Sequence, residues 1–538
     1  MENRPAEDRK NLVDARHDHA SARDKETDQR NPSGSAVPGA AYAGDSWFGI
    51  DRSFAIGISL LISSLIIFCF EIRSISSVNG WWLDELASMW YTEPRLSFRD
   101  IFNDRIITDS NAPLYYSILF FVRHIVLDGR SAILILNVGV LIAAITAVVV
   151  SSRKFGLIGF SLAAAAALLI SGPILRYVVE GRSYLMALML VYIASWLCWL
   201  TVEGSGEGSG RRQNLASFAL VGMLAALTHL FAALFCCCLS AGMIVLFFSN
   251  RRREILGPAL VLGTTSCCFS AVWLIYGVNQ AHKIDFIIFS MNSLVSSIFE
   301  FKIFAFGPRV MLVAFLLILT ASILSRAARY SLILFLCSFI LFFVVPIIIS
   351  FERPIILGRY WLVGAPVIIV FTTFFARSAF LSSGSGGRRH LHLACGFGAV
   401  LFLLITDVSG FMQARAFTAN KSIWEGAAVA APLLRLCPAG SVHVNWRGAY
   451  FAFAAQAPEQ VFVDVVNNSP PEIAEAATLA GPVCSVLGWA EDLRQGEDFL
   501  GKASDEELLR ILKVHASPSE VDIRRHRYGF VVLARGAS

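Results

Sequence analysis

The sequence predicts an α-helical multi-pass membrane protein, with about eleven transmembrane helices and a small C-terminal α/β domain. Three observations support this fold class. Of the 538 residues, 56% are hydrophobic and only 16% are charged, and the mean hydropathy is +0.61. Apolar runs of about 17 to 22 residues recur between short polar breaks, as expected for membrane helices. Beyond residue 410, short β-rich runs alternate with helical stretches, which is typical of an α/β domain.

The chain divides into three regions. Residues 1–47 carry mixed charge, Pro, Gly and Ala without apolar periodicity, which predicts a disordered cytoplasmic tail. Residues 48–410 contain the predicted membrane helices, and residues 411–538 form the α/β domain. The β-rich runs of this last region are 441–446, 461–466, 483–488 and 528–535, and its helical stretches are 471–480 and 505–514.

The apolar runs give the predicted spans. These are 53–72, 131–150, 157–173, 184–202, 213–229, 231–249, 256–276, 309–325, 331–350, 360–377 and 391–410. A further run, 113–127, has only 15 residues and contains Arg123 and His124. Its length and charge favour a juxtamembrane helix that lies in the interface rather than a span.

The basic residues between the spans predict the topology. If 113–127 does not cross, every second connection is a short basic loop, beginning with Arg153 and Lys154. Because basic loops stay in the cytoplasm, the N-terminus is expected inside and the C-terminal domain outside. Long loops at 73–130, 174–183, 277–308 and 350–359 then face the outer side.

The cysteines indicate packing rather than a disulfide framework or a metal site. Nine of the eleven lie inside apolar runs, where a thiol packs as a small apolar group. Only Cys437 and Cys484 lie in the C-terminal domain. An oxidising exterior would allow them to pair, but nothing in the sequence brings them together.

The strongest chemical signal is the segment WWLDELASMW, which follows the first span and contains Asp84 and Glu85. Tryptophans on both sides suit a membrane interface. A carboxylate shielded by these rings could act as a general base towards a hydroxyl group. The alternative is a solvated acidic loop beside an aromatic belt.

Several further motifs follow Asp84 and Glu85 in order. They are NAPLYYSILFF from Asn111, EGRSY at 180–184, THLFAALF at 228–235 and RYWLVGAP at 359–366. Together they resemble the GT-C superfamily of polyprenyl-phosphate-sugar-dependent glycosyltransferases, near the lipid A aminoarabinose transferases, the lipopolysaccharide core galacturonosyltransferases and the protein O-mannosyltransferases. The likeness covers roughly residues 50–410. The histidine that the family carries near Asn111 is absent, and residues 411–538 resemble no family.

The resemblance implies roles for individual residues. Asp84 would be the base, and Glu85 would orient the acceptor or support Asp84. The donor phosphate needs cations, for which Arg182 and Arg359 are the first candidates. Glu180, Lys283, Lys302 and Tyr115 complete the candidate substrate-binding set, although the lysines and arginines could instead snorkel to lipid head groups and Tyr115 could pack in the core.

His229 is the one candidate metal ligand. It could bind a divalent metal ion with a carboxylate, or simply make a hydrogen bond in the helix bundle, and the second role is favoured because a lone histidine is poor support for a metal site. No cofactor is otherwise implied.

The expected function is sugar transfer from a polyprenyl phosphate to a hydroxyl group of a glycan, lipid or protein acceptor, with inversion, at the periplasmic face of a bacterial inner membrane. The expected partners are donor, acceptor and membrane lipid, and no nucleic acid. A transporter or flippase of a lipid-linked glycan is the main alternative; it would place ionisable residues near the membrane midplane. A non-catalytic membrane scaffold is the third candidate function.

Overall fold

The computed structural model describes most of the chain between residues 52 and 381. The described residues are 52–78, 83–107, 112–126, 128–203, 211–250, 253–278, 290–306, 309–324, 328–352, 355 and 357–381, with short pieces after residue 395. The predicted tail at 1–47 lies outside them. The predicted span at 391–410 is described only in part, and residues 396, 398–403 and 405 of it are helical.

Helices make up the membrane part. They are α1 (Arg52–Val78), α2 (Leu83–Tyr91), α3 (Phe98–Ile101), α4 (Leu114–Ile125), α5 (Gly129–Arg153), α6 (Ile158–Ile170), α7 (Gly172–Val178), α8 (Tyr184–Glu203), α9 (Arg211–Thr228), α10 (Leu230–Asn250), α11 (Arg253–Val278), α12 (Met291–Phe306), α13 (Arg309–Leu324), α14 (Arg329–Ser350), α15 (Gly358–Trp361) and α16 (Ala365–Leu381). A π-helical turn at Phe102–Ile106 continues α3, and a 3-10 turn at Leu362–Gly364 joins α15 to α16.

The multi-pass membrane architecture is confirmed. Within the described part of the chain, 7 helices are long and apolar enough to cross a membrane. They lie at 53–75, 129–153, 184–202, 230–249, 253–275, 329–350 and 358–380, and each overlaps a predicted span. The apolar parts of α9 and α13 are shorter, at 215–228 and 312–323. The exact number of crossings therefore stays a prediction.

The predicted span at 157–173 is broken. Helices α6 and α7 meet at an angle of 61°, and Ser171 between them has an extended backbone. Pro173 lies in the first turn of α7, where its missing N–H costs nothing, but it could not continue the hydrogen bonding of α6. The chain therefore stays helical to Val178, and the loop expected at 174–183 is confined to 179–183.

Two spans form the centre of the bundle. In the most apolar window of each, 83% of the α8 residues and 94% of the residues at 358–380 are buried, against 17% in α1. Trp196 of α8 packs against Phe374 of α16, with ring centroids 4.9 Å apart. These two helices therefore provide the rigid scaffold whose ends bear Arg359 and the loop before Tyr184.

A four-stranded sheet is described in the C-terminal region, in the order β1-β2-β4-β3. Its strands are β1 (Val442–His443), β2 (Cys484–Ala490), β3 (Glu520–His526) and β4 (Gly529–Arg535). Strands β1 and β2 are parallel, and β4 pairs antiparallel with both β2 and β3. Three of the four predicted β-rich runs thus form strands, whereas the run at 461–466 lies outside the described residues. Strand β3 was not predicted.

Candidate active site

Helix α2 carries the predicted acidic pair in its first turn. Glu85 is buried, and Asp84 is the second residue of the helix, although its side chain lies outside the described part. The N-terminal end of a helix is electrostatically favourable for carboxylates. The Ser88 hydroxyl donates to the Gly181 carbonyl, and a Cβ at Gly181 would lie 3.3 Å from the Glu85 Cα. The acidic helix therefore packs directly against the loop at 179–183.

Two arginines hold the other end of α2. Arg123 donates from Nη1 to the carbonyls of Met89 at 2.7 Å and Thr92 at 2.8 Å. Arg105 donates to the Trp90 carbonyl at 2.5 Å and lies over the Trp90 ring. The last carbonyls of a helix have no partner within the helix, and cations there oppose the negative end of its dipole. Arg123 was predicted to be an interfacial charge; it is instead buried and caps this helix.

Asn137 of α5 fixes the adjoining loop. Its amide donates to three carbonyls, those of Tyr177 at 3.3 Å, Val178 at 2.9 Å and Glu180 at 2.9 Å. Its own oxygen accepts from the Tyr115 hydroxyl at 3.3 Å. Burial raises the pKa of Tyr115, so this hydroxyl keeps its proton. Because Tyr115 is fully buried, these contacts favour the packing role over substrate binding.

Arg176 of α7 lies between two carboxylates. Its Nη1 donates to Oε1 of Glu300 at 2.6 Å, and its Nε lies 3.8 Å from Oε1 of Glu180. The guanidinium also stacks over Phe304, 4.7 Å from the ring centroid. Neither Arg176 nor Glu300 was among the predicted site residues. The spacing of four residues from Arg176 to Glu180 was the available local signal, whereas Glu300 lies 124 residues away in the chain.

The two predicted phosphate ligands lie near this network. Arg182 is half-buried and donates to the Tyr116 hydroxyl. The guanidinium carbon of Arg359 lies 5.6 Å from the Tyr184 ring centroid and 5.7 Å from that of Tyr360. Aromatic faces of this kind attract a guanidinium and restrict its position.

His229 lies at the one-residue break between α9 and α10. Its ring packs near those of Tyr184 and Tyr360, with centroids 5.5 and 5.3 Å away. Its Nδ1 accepts from the Phe231 N–H at 3.1 Å. A histidine that ligates a metal through Nε2 normally donates from Nδ1, which this contact prevents. The geometry therefore fits a neutral structural histidine better than a metal ligand.

The two lysines of the predicted substrate-binding set have less structural support than the arginines. The Lys302 ammonium lies 5.4 Å from the Phe299 ring centroid, on the helix that carries Glu300. Lys283 lies outside the described residues. Among the residues that the structure describes, no group of three His, Cys, Asp or Glu side chains could hold a metal ion.

Carboxylates and arginines thus lie close together in this site. The charges of Glu85, Arg182 and Glu180 all act on the Tyr115 hydroxyl, and those of Arg176, Glu180, Glu300 and Arg359 all act on Tyr177. The acidic helix α2 and the arginine-bearing segments are therefore neighbours. Such an arrangement can bind an anion and accept a proton within one site.

Comparison with known proteins gives a fold but no close sequence relative. No protein-family model and no curated protein matches the chain. The solved structures that match over 89% of it at 10% identity include ArnT from Cupriavidus metallidurans bound to undecaprenyl phosphate, over 98% of that chain with a TM-score of 0.55. They also include the same enzyme in the apo state, over 97% of that chain with a TM-score of 0.53. ArnT, a lipid A aminoarabinose transferase, is a GT-C enzyme. The chain therefore shares the fold of ArnT, that of a multi-pass membrane protein.

Proposed function

We propose that the protein is a membrane glycosyltransferase that moves one sugar from a polyprenyl phosphate to an acceptor hydroxyl group. The observation that carries this proposal is the packing of the acidic helix α2 against the loop of Arg182. The charges of Glu85 on that helix and of Arg182 both influence the hydroxyl group of Tyr115. The GT-C fold supports the reaction class, and the undecaprenyl phosphate bound to ArnT supports the class of donor lipid.

Asp84 is the proposed base. Its carboxylate accepts the proton of the acceptor hydroxyl while that oxygen attacks the anomeric carbon of the sugar. The new C–O bond forms as the bond from the anomeric carbon to the phosphate oxygen breaks. Attack opposite the leaving group inverts the anomeric centre, and the polyprenyl phosphate leaves with the bonding electrons. Glu85, on the same helix, supports Asp84 or orients the acceptor.

Arg182 and Arg359 are the proposed ligands of the departing phosphate. Charge builds up on the phosphate oxygens as the bond to the sugar breaks, so cations placed there stabilise the transition state more than the ground state. A planar guanidinium can donate two parallel hydrogen bonds to a phosphate. The rings of Tyr184 and Tyr360 support Arg359 in this role.

The reaction is proposed to occur at the periplasmic face of a bacterial inner membrane. The alternation of basic loops supports this placement, with the N-terminus in the cytoplasm and residues 411–538 outside as a separate α/β domain. A lipid-linked donor reaches its enzyme only from within the bilayer, which accounts for a transferase built from membrane helices. The acceptor is a hydroxyl group of a glycan, a lipid or a protein.

Transfer of radiolabelled sugar tests the proposal directly. Purified wild-type protein would be incubated with polyprenyl-phosphate sugars and candidate acceptors, in parallel with Asp84→Asn. We expect transfer by the wild type and none by the variant. If the protein instead moves lipid-linked glycans across vesicle membranes and transfers no sugar, it is a transporter or flippase.

A further inference from the structure

The Glu300 carboxylate contacts two separate parts of the proposed phosphate site. Its Oε1 accepts from Arg176 Nη1 at 2.6 Å. Its other oxygen lies where a side chain of residue 358 would begin, and its Cδ would be 2.8 Å from a Cβ placed on Gly358. Glycine therefore fits at this position because the carboxylate occupies the space that a side chain would need.

Gly358 directly precedes Arg359 at the start of α15. The carbonyl of Arg359 accepts from the Tyr177 hydroxyl at 3.2 Å, and Tyr177 is the neighbour of Arg176 in α7. The backbone beneath Arg359 is thus held on one side by Tyr177 and on the other by Glu300. The Arg176–Glu300 ion pair joins these two supports.

We propose that Glu300 is a positioning residue for the donor phosphate, which it serves by fixing the backbone that carries Arg359. This inference rests on the proposed function, because it assigns Arg359 to the phosphate of the polyprenyl donor. Glu300 itself does not touch the phosphate. It lies against Gly358, and Arg176 keeps it there.

The direction in which the phosphate affinity changes when Glu300 is removed distinguishes a positioning role from simple charge repulsion. A carboxylate near a cationic site repels an anion, so its removal should by charge alone strengthen phosphate binding. If Glu300 positions Arg359, its removal should weaken phosphate binding instead. If the ion pair were purely structural, its loss would lower the melting temperature and leave the phosphate affinity of the folded protein unchanged.

The test measures the Kd of undecaprenyl phosphate for the purified full-length protein in detergent. We expect Glu300→Gln to raise this Kd by about tenfold. Gly358→Ala should do the same, because the added methyl group displaces the carboxylate without changing any charge. Gly139→Ala is the matched control, since a Cβ at that helical glycine would have no atom within 4 Å beyond its chain neighbours and its own helix backbone, and its Kd should equal that of the wild type.

A double-mutant comparison examines the same contact. In the Glu300→Ala background the carboxylate beside residue 358 is gone and only the Cβ of residue 300 remains, 3.0 Å from a Cβ at residue 358. Gly358→Ala should therefore raise the Kd much less in that background than in the wild type. In the active enzyme, the KM for the donor should rise with the Kd. If Glu300→Gln cannot be recovered as a monodisperse protein, Gly358→Ala provides the decisive Kd.

The outcomes are distinct. A wild-type protein that does not bind undecaprenyl phosphate would overturn the proposed function, and this inference with it. A wild type that binds, together with a Glu300→Gln or Gly358→Ala variant of equal or tighter affinity, would overturn the positioning role alone. Additive effects of Glu300→Ala and Gly358→Ala would also refute it.

Discussion

The Nη1 atom of Arg123 lies 2.7 Å from the carbonyl oxygen of Met89. Through this contact a buried cation on α4 holds the last turn of the helix whose first turn bears Asp84 and Glu85. Burial lowers the pKa of Arg123, and the carboxylates of Glu93 and Asp128 oppose that shift. The orientation of the acidic pair therefore depends on a residue at the far end of the same helix.

Replacement of Arg123 should loosen α2. Hydrogen bonds to a charged group are worth about 1.5–3 kcal/mol each, so we expect Arg123→Gln to destabilise the protein and to raise hydrogen exchange in residues 83–91. Sugar transfer should fall by roughly 10- to 100-fold because small misplacements of a reacting group are costly. Arg130→Gln, at an exposed position on α5, is the control. Unchanged exchange in α2 would contradict the capping role.

Asp84→Asn should abolish transfer while the protein still inserts and folds. Asparagine keeps the size of the side chain but cannot accept a proton at neutral pH. Asp104→Asn, an exposed acid of the same region, should behave like the wild type. Both variants would be compared by transfer assay and by gel filtration in detergent. A wild-type rate in Asp84→Asn would exclude the base assignment.

Substitutions of Tyr115 and Asn137 should differ in their effects on stability and on sugar transfer. Tyr115→Phe removes one hydroxyl and should cost about 1 kcal/mol of stability, with transfer retained. Asn137→Ala removes the donor of three hydrogen bonds and should destabilise the protein more and reduce transfer, because the loop of Arg182 loses its support. Thermal unfolding and transfer rates check both. A large rise in donor KM for Tyr115→Phe would return this residue to the substrate-binding set.

Topology can be tested with single cysteines. The alternation of basic loops predicts that Arg153, the last residue of α5, faces the cytoplasm. A cysteine placed there, in a background whose native cysteines are shown to be unreactive, should be labelled by an impermeant reagent only after the membrane is opened. Labelling in intact cells would reverse the proposed sidedness of every loop and of the C-terminal domain.

The helical membrane fold could be predicted from composition because apolar runs of this length have few other structures available. The break at Ser171 was missed, although Ser-Gly-Pro at 171–173 is a recognisable turn signal. Strand β3 was missed because its charged residues obscure the alternation of Val521 and Ile523 with Asp522 and Arg524.

The candidate site was predicted only in outline. Motif order and the family resemblance predicted the segments of Asp84, Glu180, Arg182 and Arg359, and their roles stay predictions. The supporting residues could not be found this way. Asn137 looked like one polar residue within an apolar span, and Arg123 like an interfacial charge. Their roles arise from partners about 30 to 40 residues away, with which no local pattern connects them.

The bend between α6 and α7 bears on how the chain enters the membrane. A helix of 13 residues such as α6 is only about 20 Å long and cannot cross a hydrocarbon layer of about 30 Å. Ser171 is buried in protein, as the polar backbone of a broken membrane helix has to be. It lines one cavity with Leu188 of α8 and Ile368 of α16, and both of these helices are synthesised later. Stable integration of α6 and α7 is therefore expected to await those helices, so that the order of assembly departs from the order of translation.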